Sequence, residues 1–180
     1  ETLITQDLGC EVCGTVYAPL TQKSFSWNHP SGACETCGGV GLTMQFAPEL
    51  VVPNPVLSLK RGAIKPWRLG SKRMIIQRNA ILKQLAEQVP YDPTVSWEDL
   101  EEDVRDLVLH GSEGREFLFK LKAGRAKPVP VLFDGVLADL DNTRRETSSD
   151  GLRARLMAYQ VSQTCVGCDG RRLNAPSRAA

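Results

Sequence analysis

Histidine is scarce in this sequence, and net charge is almost absent. Two histidines stand among 180 residues, and no set of nucleophile, general base and orienting group can be assembled around either, so no active site is legible. Against 21 acidic residues there are 22 basic ones, a formal balance of +1. Affinity for nucleic acid through total charge is thereby excluded, and only the distribution of charge could provide it. No run approaches the roughly eighteen apolar residues of a membrane span, so no membrane partner is expected. The opening Glu1-Thr2-Leu3-Ile4-Thr5 lacks the order of a signal peptide. A phosphate-binding loop is also missing: Gly38-Gly39-Val40-Gly41 has no Lys-Ser/Thr after it and no apolar strand before it. Aromatics are few, yet hydrophobic residues reach 42 %, which excludes disorder and allows one ordinary domain or two small ones.

What the chain does have is cysteine in a fixed arrangement. Its six cysteines form three Cys-x-x-Cys pairs, Cys10/Cys13, Cys34/Cys37 and Cys165/Cys168. Disulfide frameworks seldom repeat one such spacing, so metal-binding thiolates in a reducing compartment, the cytosol, are expected. The first two pairs present four thiolates from two tight turns and are expected to close a tetrahedron around a structural Zn²⁺. Gly14 follows the first pair, and Gly38, Gly39 and Gly41 follow the second, where such a turn needs freedom of φ and N–H groups aimed at sulfur. Four sulfurs leave no open position for catalysis. A redox motif normally sits singly at a strand-to-helix junction, which argues against that use. The third pair, Cys165/Cys168, reads as a half-site awaiting ligands from elsewhere, and the chain as an excerpt of a longer one.

Taken in order, the pattern gives an α+β fold: a small zinc ribbon, and a mixed domain of helices and antiparallel strands inserted into it. Residues 1–42 are expected to hold a β-hairpin, with Phe25 and Trp27 covering the metal and His29 a turn residue rather than a ligand. The inserted domain is assigned to 43–142, and 143–180 to a helix and a Cys-x-x-Cys return. Apolar spacing predicts a helix over 73–88, ended by Pro90, and a second after Ser96, ended by Gly111. The runs 117–121 and 129–133 bracket a basic tip and predict a hairpin. A last helix is expected over 150–161.

Charge is sharply segregated. Between Leu50 and Ala86 stand Lys60, Arg61, Lys65, Arg68, Lys72, Arg73, Arg78 and Lys83, with no acidic residue. Between Tyr91 and Gly114 stand eight carboxylates and a single arginine, Arg105. The basic stretch, with Trp67 as a flat surface and Gly62 and Gly70 permitting close approach, is a candidate for contact with phosphates of double-stranded DNA. Two plainer readings stand beside it: mutual neutralisation of the two stretches, and an ordinary solvated face.

These residues resemble a known family. Phe25-Ser26-Trp27-Asn28-His29-Pro30-Ser31-Gly32-Ala33-Cys34 through Gly41, then Val51-Val52-Pro53-Asn54-Pro55 and Gly62-Ala63-Ile64-Lys65-Pro66-Trp67, look like the first zinc module and insertion domain of UvrA. Ser96-Trp97-Glu98-Asp99-Leu100, Phe133-Asp134-Gly135-Val136, Arg144-Arg145-Glu146-Thr147 and Cys165-Val166-Gly167-Cys168-Asp169-Gly170-Arg171-Arg172-Leu173 continue the likeness in order. Arg73-Met74-Ile75-Ile76 departs from it. UvrA is the damage-sensing ATPase of bacterial nucleotide excision repair. The resemblance implies that ATP binding and hydrolysis, and the UvrB-binding region, lie outside this chain. It also implies that the parent protein is a homodimer whose insertion domains flank a DNA groove, and that Cys165/Cys168 is completed by ligands from an earlier segment. A UvrA-like paralogue devoted to drug self-resistance would share this architecture. A DnaJ-like zinc-dependent chaperone module shares only Cys34-x-x-Cys37-x-Gly39-x-Gly41, and the distance to the third pair argues against it.

Overall fold

The computed structural model describes residues 19–120 and 127–179, and the chain divides into two compact units. The larger is Phe46–Val161, and the smaller contains residues 19–45 and 162–179 of the described chain. Strands β1 (Leu42–Phe46) and β4 (Gln160–Thr164) pair in a two-stranded sheet, so the chain leaves the smaller unit along one and returns along the other. The sequence pattern puts the return at 143. The structure carries the larger unit on to Val161 because Leu156 sits fully inside its core.

After the short helix α1 (Pro48–Val51), a 3₁₀ turn at Lys65–Arg68 leads to α2 (Lys72–Ala86). Ser71 caps α2, its hydroxyl accepting from the Met74 N–H at 3.3 Å, which stabilises a helix start by about 1 kcal/mol. The second expected helix begins later than the sequence suggests. Ser96 opens a 3₁₀ turn over Trp97–Asp99, and α3 runs from Glu102 to His110. Glu102 and Asp103 fill its first turn, where the macrodipole favours anions. The expected hairpin is present as β2 (Glu116–Phe119) against β3 (Val129–Leu132), antiparallel, with Phe117 opposite Val131 and Leu118 opposite Pro130. Phe117 and Phe119 point inward and Leu118 outward, the period-two alternation of a half-buried strand. Its basic tip lies outside the described residues.

Gln84 of α2 and Gln88, two residues past its end, cover the free edge of β2. The Leu118 N–H donates to Gln88 Oε1 at 2.8 Å, Gln88 Nε2 returns a bond to the Leu118 carbonyl at 2.9 Å, and the Lys120 N–H reaches Gln84 Oε1 at 2.7 Å. Two side-chain amides thus take the place of a neighbouring strand on an otherwise unpaired edge.

A helix not anticipated from the sequence, α4 (Gly135–Glu146), packs on α3, and α5 (Asp150–Met157) follows it. The helix expected over 150–161 therefore stops at Met157, and its last residues enter β4. The packing of α3 and α4 depends on two glycines. Gly135 has φ of +84°, and a Cβ there would lie 2.5 Å from the Gly111 nitrogen and 2.6 Å from the Leu109 carbonyl oxygen. Leu85, Val108, Val136 and Leu140 are fully buried in the core of this unit, each contributing about 1.5–3 kcal/mol of burial.

The most tightly bonded polar group in this unit is Arg78 of α2, which is only 5 % exposed. Its Nε and Nη2 donate to Asp139 Oδ2 of α4 at 3.0 and 2.8 Å, Nη2 to Thr143 Oγ1 at 2.8 Å and Nη1 to the Leu69 carbonyl at 3.3 Å. The guanidinium also lies over the Trp67 ring, whose Nε1 donates to the same Asp139 oxygen at 2.8 Å. Asp139→Ala should therefore cost about 2–3 kcal/mol in urea unfolding: removing one partner of a buried pair strands the other, and the 41 % exposure of the Asp139 side chain admits some water. Arg78→Met added to Asp139→Ala should recover much of that loss.

Candidate metal centre and nucleic-acid interface

In the smaller unit two turns of the same design face each other. Each begins with Cys-x-x-Cys and is followed by two residues of positive φ: Gly38 and Gly39 after Cys37, Asp169 and Gly170 after Cys168. Gly38 N–H bonds the Cys34 carbonyl at 2.8 Å, and Asp169 N–H bonds the Cys165 carbonyl at 2.7 Å. The turns are joined by an isolated antiparallel bridge, Ala33 with Leu173, and by Cys34 N–H to the Arg172 carbonyl at 2.8 Å. Gly39 is obligatory, because a Cβ there would meet the Trp27 carbonyl oxygen at 1.9 Å.

This juxtaposition brings the sulfurs of Cys34, Cys37, Cys165 and Cys168 within 4.8 Å of one another. Cys34 and Cys165 are 3.9 Å apart, Cys37 and Cys168 3.7 Å. A disulfide needs about 2.05 Å. Sulfurs at the corners of a tetrahedron around Zn²⁺, with Zn–S near 2.3 Å, stand about 3.8 Å apart. The donor set fits such an ion. The expected grouping is thereby corrected: Cys34 and Cys37 close a four-sulfur set with Cys165 and Cys168, which is no half-site lacking ligands from outside. Cys10 and Cys13 lie outside the described residues. One sequence signal distinguishes the matched pairs, since both carry glycine two residues after their second cysteine and Cys13 does not.

The electrostatics of the two turns differ. The Cys37 N–H draws the Cys34 thiol down to about 6. At Cys37 burial opposes ionisation, but the Gly41 N–H at 3.1 Å and the neighbouring thiols outweigh it, and the thiol falls below its ordinary value. Burial pushes Cys168 up to about 11. A divalent cation in this cage would release the remaining protons.

Phe25 and Trp27, expected to cover the metal, are each 48 % exposed. Residues 22–25 form a 3₁₀ turn in place of the expected hairpin strand. His29 is a turn residue, its Nδ1 accepting from the Ser31 N–H at 3.2 Å.

In the larger unit, Lys60, Arg61, Lys65, Arg68, Lys72, Arg73 and Lys83 are exposed or half-buried at the surface. Arg78 is not, and with every branch of its guanidinium engaged it is removed from the candidate DNA contacts. Trp67 is likewise a core residue and offers no flat surface, and Gly62 lies beneath the Arg68 guanidinium. Among the described residues the ion pairs join Arg78 to Asp139, Arg144 and Arg145 to Asp141, and Arg153 to Asp150. None connects the basic stretch to the acidic residues of 92–113, so direct pairing does not neutralise the two. Asp92 is held below its usual carboxylate range by the Thr94 hydroxyl and N–H first, with Lys60 a lesser contributor.

Residues 48–158, nearly the whole larger unit, match the family model described as the UvrA DNA-binding domain. The chain is 35 % identical over 180 residues to UvrABC system protein A of Salmonella typhimurium, covering 99 % of this chain and 19 % of that protein. It is 36 % identical over 176 residues to UvrABC system protein A of Streptococcus pyogenes, covering 97 % and 18 %. The crystal structure of UvrA2 from Deinococcus radiodurans is similar with a TM-score of 0.64 at 25 % identity, over 85 % of this chain and 19 % of that one. The chain thus spans about a fifth of the length of the relatives it matches. Among the described residues no helix is long and apolar enough to cross a membrane.

The four-sulfur set yields a discriminating test. Cys165→Ser should abolish retention of one Zn²⁺ per chain after dialysis against a weak chelator, whereas Cys10→Ser should leave that ion in place, both read by colorimetric metal release.

Proposed function

We propose, since the chain belongs to the UvrA DNA-binding domain family, that it is the DNA-contacting part of a nucleotide excision repair ATPase and holds double-stranded DNA along the surface cations of Lys60–Lys83. The observation that carries this reading is that seven basic side chains of one short segment reach the surface and, among the described residues, make no ion pair. Such cations displace counterions from a phosphate backbone without first giving up an ion pair to an acidic side chain. Binding would rest on the DNA backbone and its deformability rather than on base edges, which suits a sensor of chemically unrelated lesions.

In this reading Zn²⁺ sits in the cage of Cys34, Cys37, Cys165 and Cys168 as a staple, with no open position for chemistry. ATP hydrolysis, dimerisation and engagement of UvrB belong to the longer protein, in the cytoplasm. A paralogue reading draws on the likeness to UvrA2, but the 35 % identity to UvrABC system protein A favours repair.

Fluorescence anisotropy with a duplex across a salt series tests the proposal. Reversal of Lys60, Arg61, Lys65 and Arg68 to Glu should weaken binding at least about tenfold and flatten the log–log salt slope by about 0.9 for each phosphate no longer neutralised. Unchanged affinity and slope would refute the assignment of DNA binding to this segment.

A further inference from the structure

Between the Leu59–Lys60 segment, α2 and the turn at Pro93–Thr94 lies a cleft of about 490 Å³, a volume within the roughly 300–1,000 Å³ of small-ligand sites. We propose that this cleft receives a single unstacked nucleotide of the bound DNA, its phosphate between Lys60 and Lys83 and its base against the apolar floor. The inference rests on the DNA-binding reading above and names which part of the nucleic acid that surface takes up.

Of the two lysines that line the cleft, Lys83 stands on α2 and Lys60 in the loop before it, and among the described residues neither makes an ion pair. A bare phosphate site would need nothing more. Here the space between them is floored by Leu59 and Leu82, 3 % and 6 % exposed, with Pro93 alongside. An apolar floor beneath paired cations suits a flat, weakly hydrated group carried on a phosphate. Asn79 stands one turn before Lys83 on α2, so both reach the same side of the helix. Its amide offers donors and acceptors that can meet polar atoms of an extruded nucleotide whichever base it carries.

The walls are preformed. The Lys60 N–H is fixed to the Pro93 carbonyl at 3.0 Å. Asp92 Oδ1 accepts from the Thr94 N–H at 2.8 Å and from its hydroxyl at 2.7 Å. That carboxylate lies close enough to Lys60 to feel its charge, and its Oδ1 is occupied by Thr94. A site that does not have to be ordered on binding loses less affinity to entropy.

Extruding a nucleotide costs a few kcal/mol, and least where the base is damaged, mismatched or already unpaired. The cleft would therefore favour duplexes in which stacking is weakened, whatever the chemistry of the lesion.

The experiment compares the full chain on two duplexes of equal length, one fully paired and one carrying a single extrahelical nucleotide. The unmodified chain should bind the second about fivefold or more tightly, because an extrahelical nucleotide spares the cost of unstacking. Asn79→Leu removes the amide and narrows the cleft without touching a charge, at an exposed helix position. It should erase that preference and leave affinity for the paired duplex unchanged. Lys60→Ala with Lys83→Ala should weaken both. Binding of both duplexes with equal affinity, or a preference that survives Asn79→Leu, overturns the pocket while leaving the DNA-binding segment standing. Binding of neither duplex overturns the segment and the pocket together.

Discussion

The architecture depends on one closure, the meeting of Cys34 and Cys37 with Cys165 and Cys168. Each sulfur contact joins residues 131 apart in sequence. A cross-link around a loop of that order stabilises by about 4–5 kcal/mol on the chain-entropy argument, because it removes conformations from the unfolded ensemble. The cage holds the start and end of a long insertion side by side, and the residues between them are free to build their own core. The metal proposed for it therefore has no chemistry to perform at the DNA.

Within the larger unit a single cation of the basic segment has been turned inward. Arg78 ties α2 to α4 through Asp139 and Thr143 and lies over Trp67. The other seven cations remain at the surface of that segment, and among the described residues the carboxylates of 92–113 form no ion pair with them. A surface with unpaired charge of one sign is costly through self-repulsion, and its persistence is understandable where an anionic partner relieves it. That is the physical content of the proposed DNA contact.

Much of this is legible in the sequence, and what escapes does so for identifiable reasons. Helix α2 and the β2–β3 hairpin can be read closely because their apolar residues keep a clean period. Helix α4 cannot: it opens on Gly135, whose φ of +84° serves the crossing with Gly111, and neither residue signals a helix start. Arg78 looks like its neighbours, since its partners lie 61 and 65 residues away. The pairing of cysteines is misleading because nearness in sequence favours the first two pairs, whereas the fold matches pairs by likeness of turn. Asp169 takes a φ of +51° in the second turn where glycine stands in the first, so the repeat is visible only when the Gly two residues past each pair is compared.

The sulfur cage and the core of the larger unit are, on this account, separately stabilised. Amide hydrogen exchange of the zinc-loaded chain before and after chelation tests that independence most directly. Protection should be lost at residues 31–41 and 165–174, with α2, α3 and α4 unchanged. Simultaneous loss of protection in those three helices would contradict it.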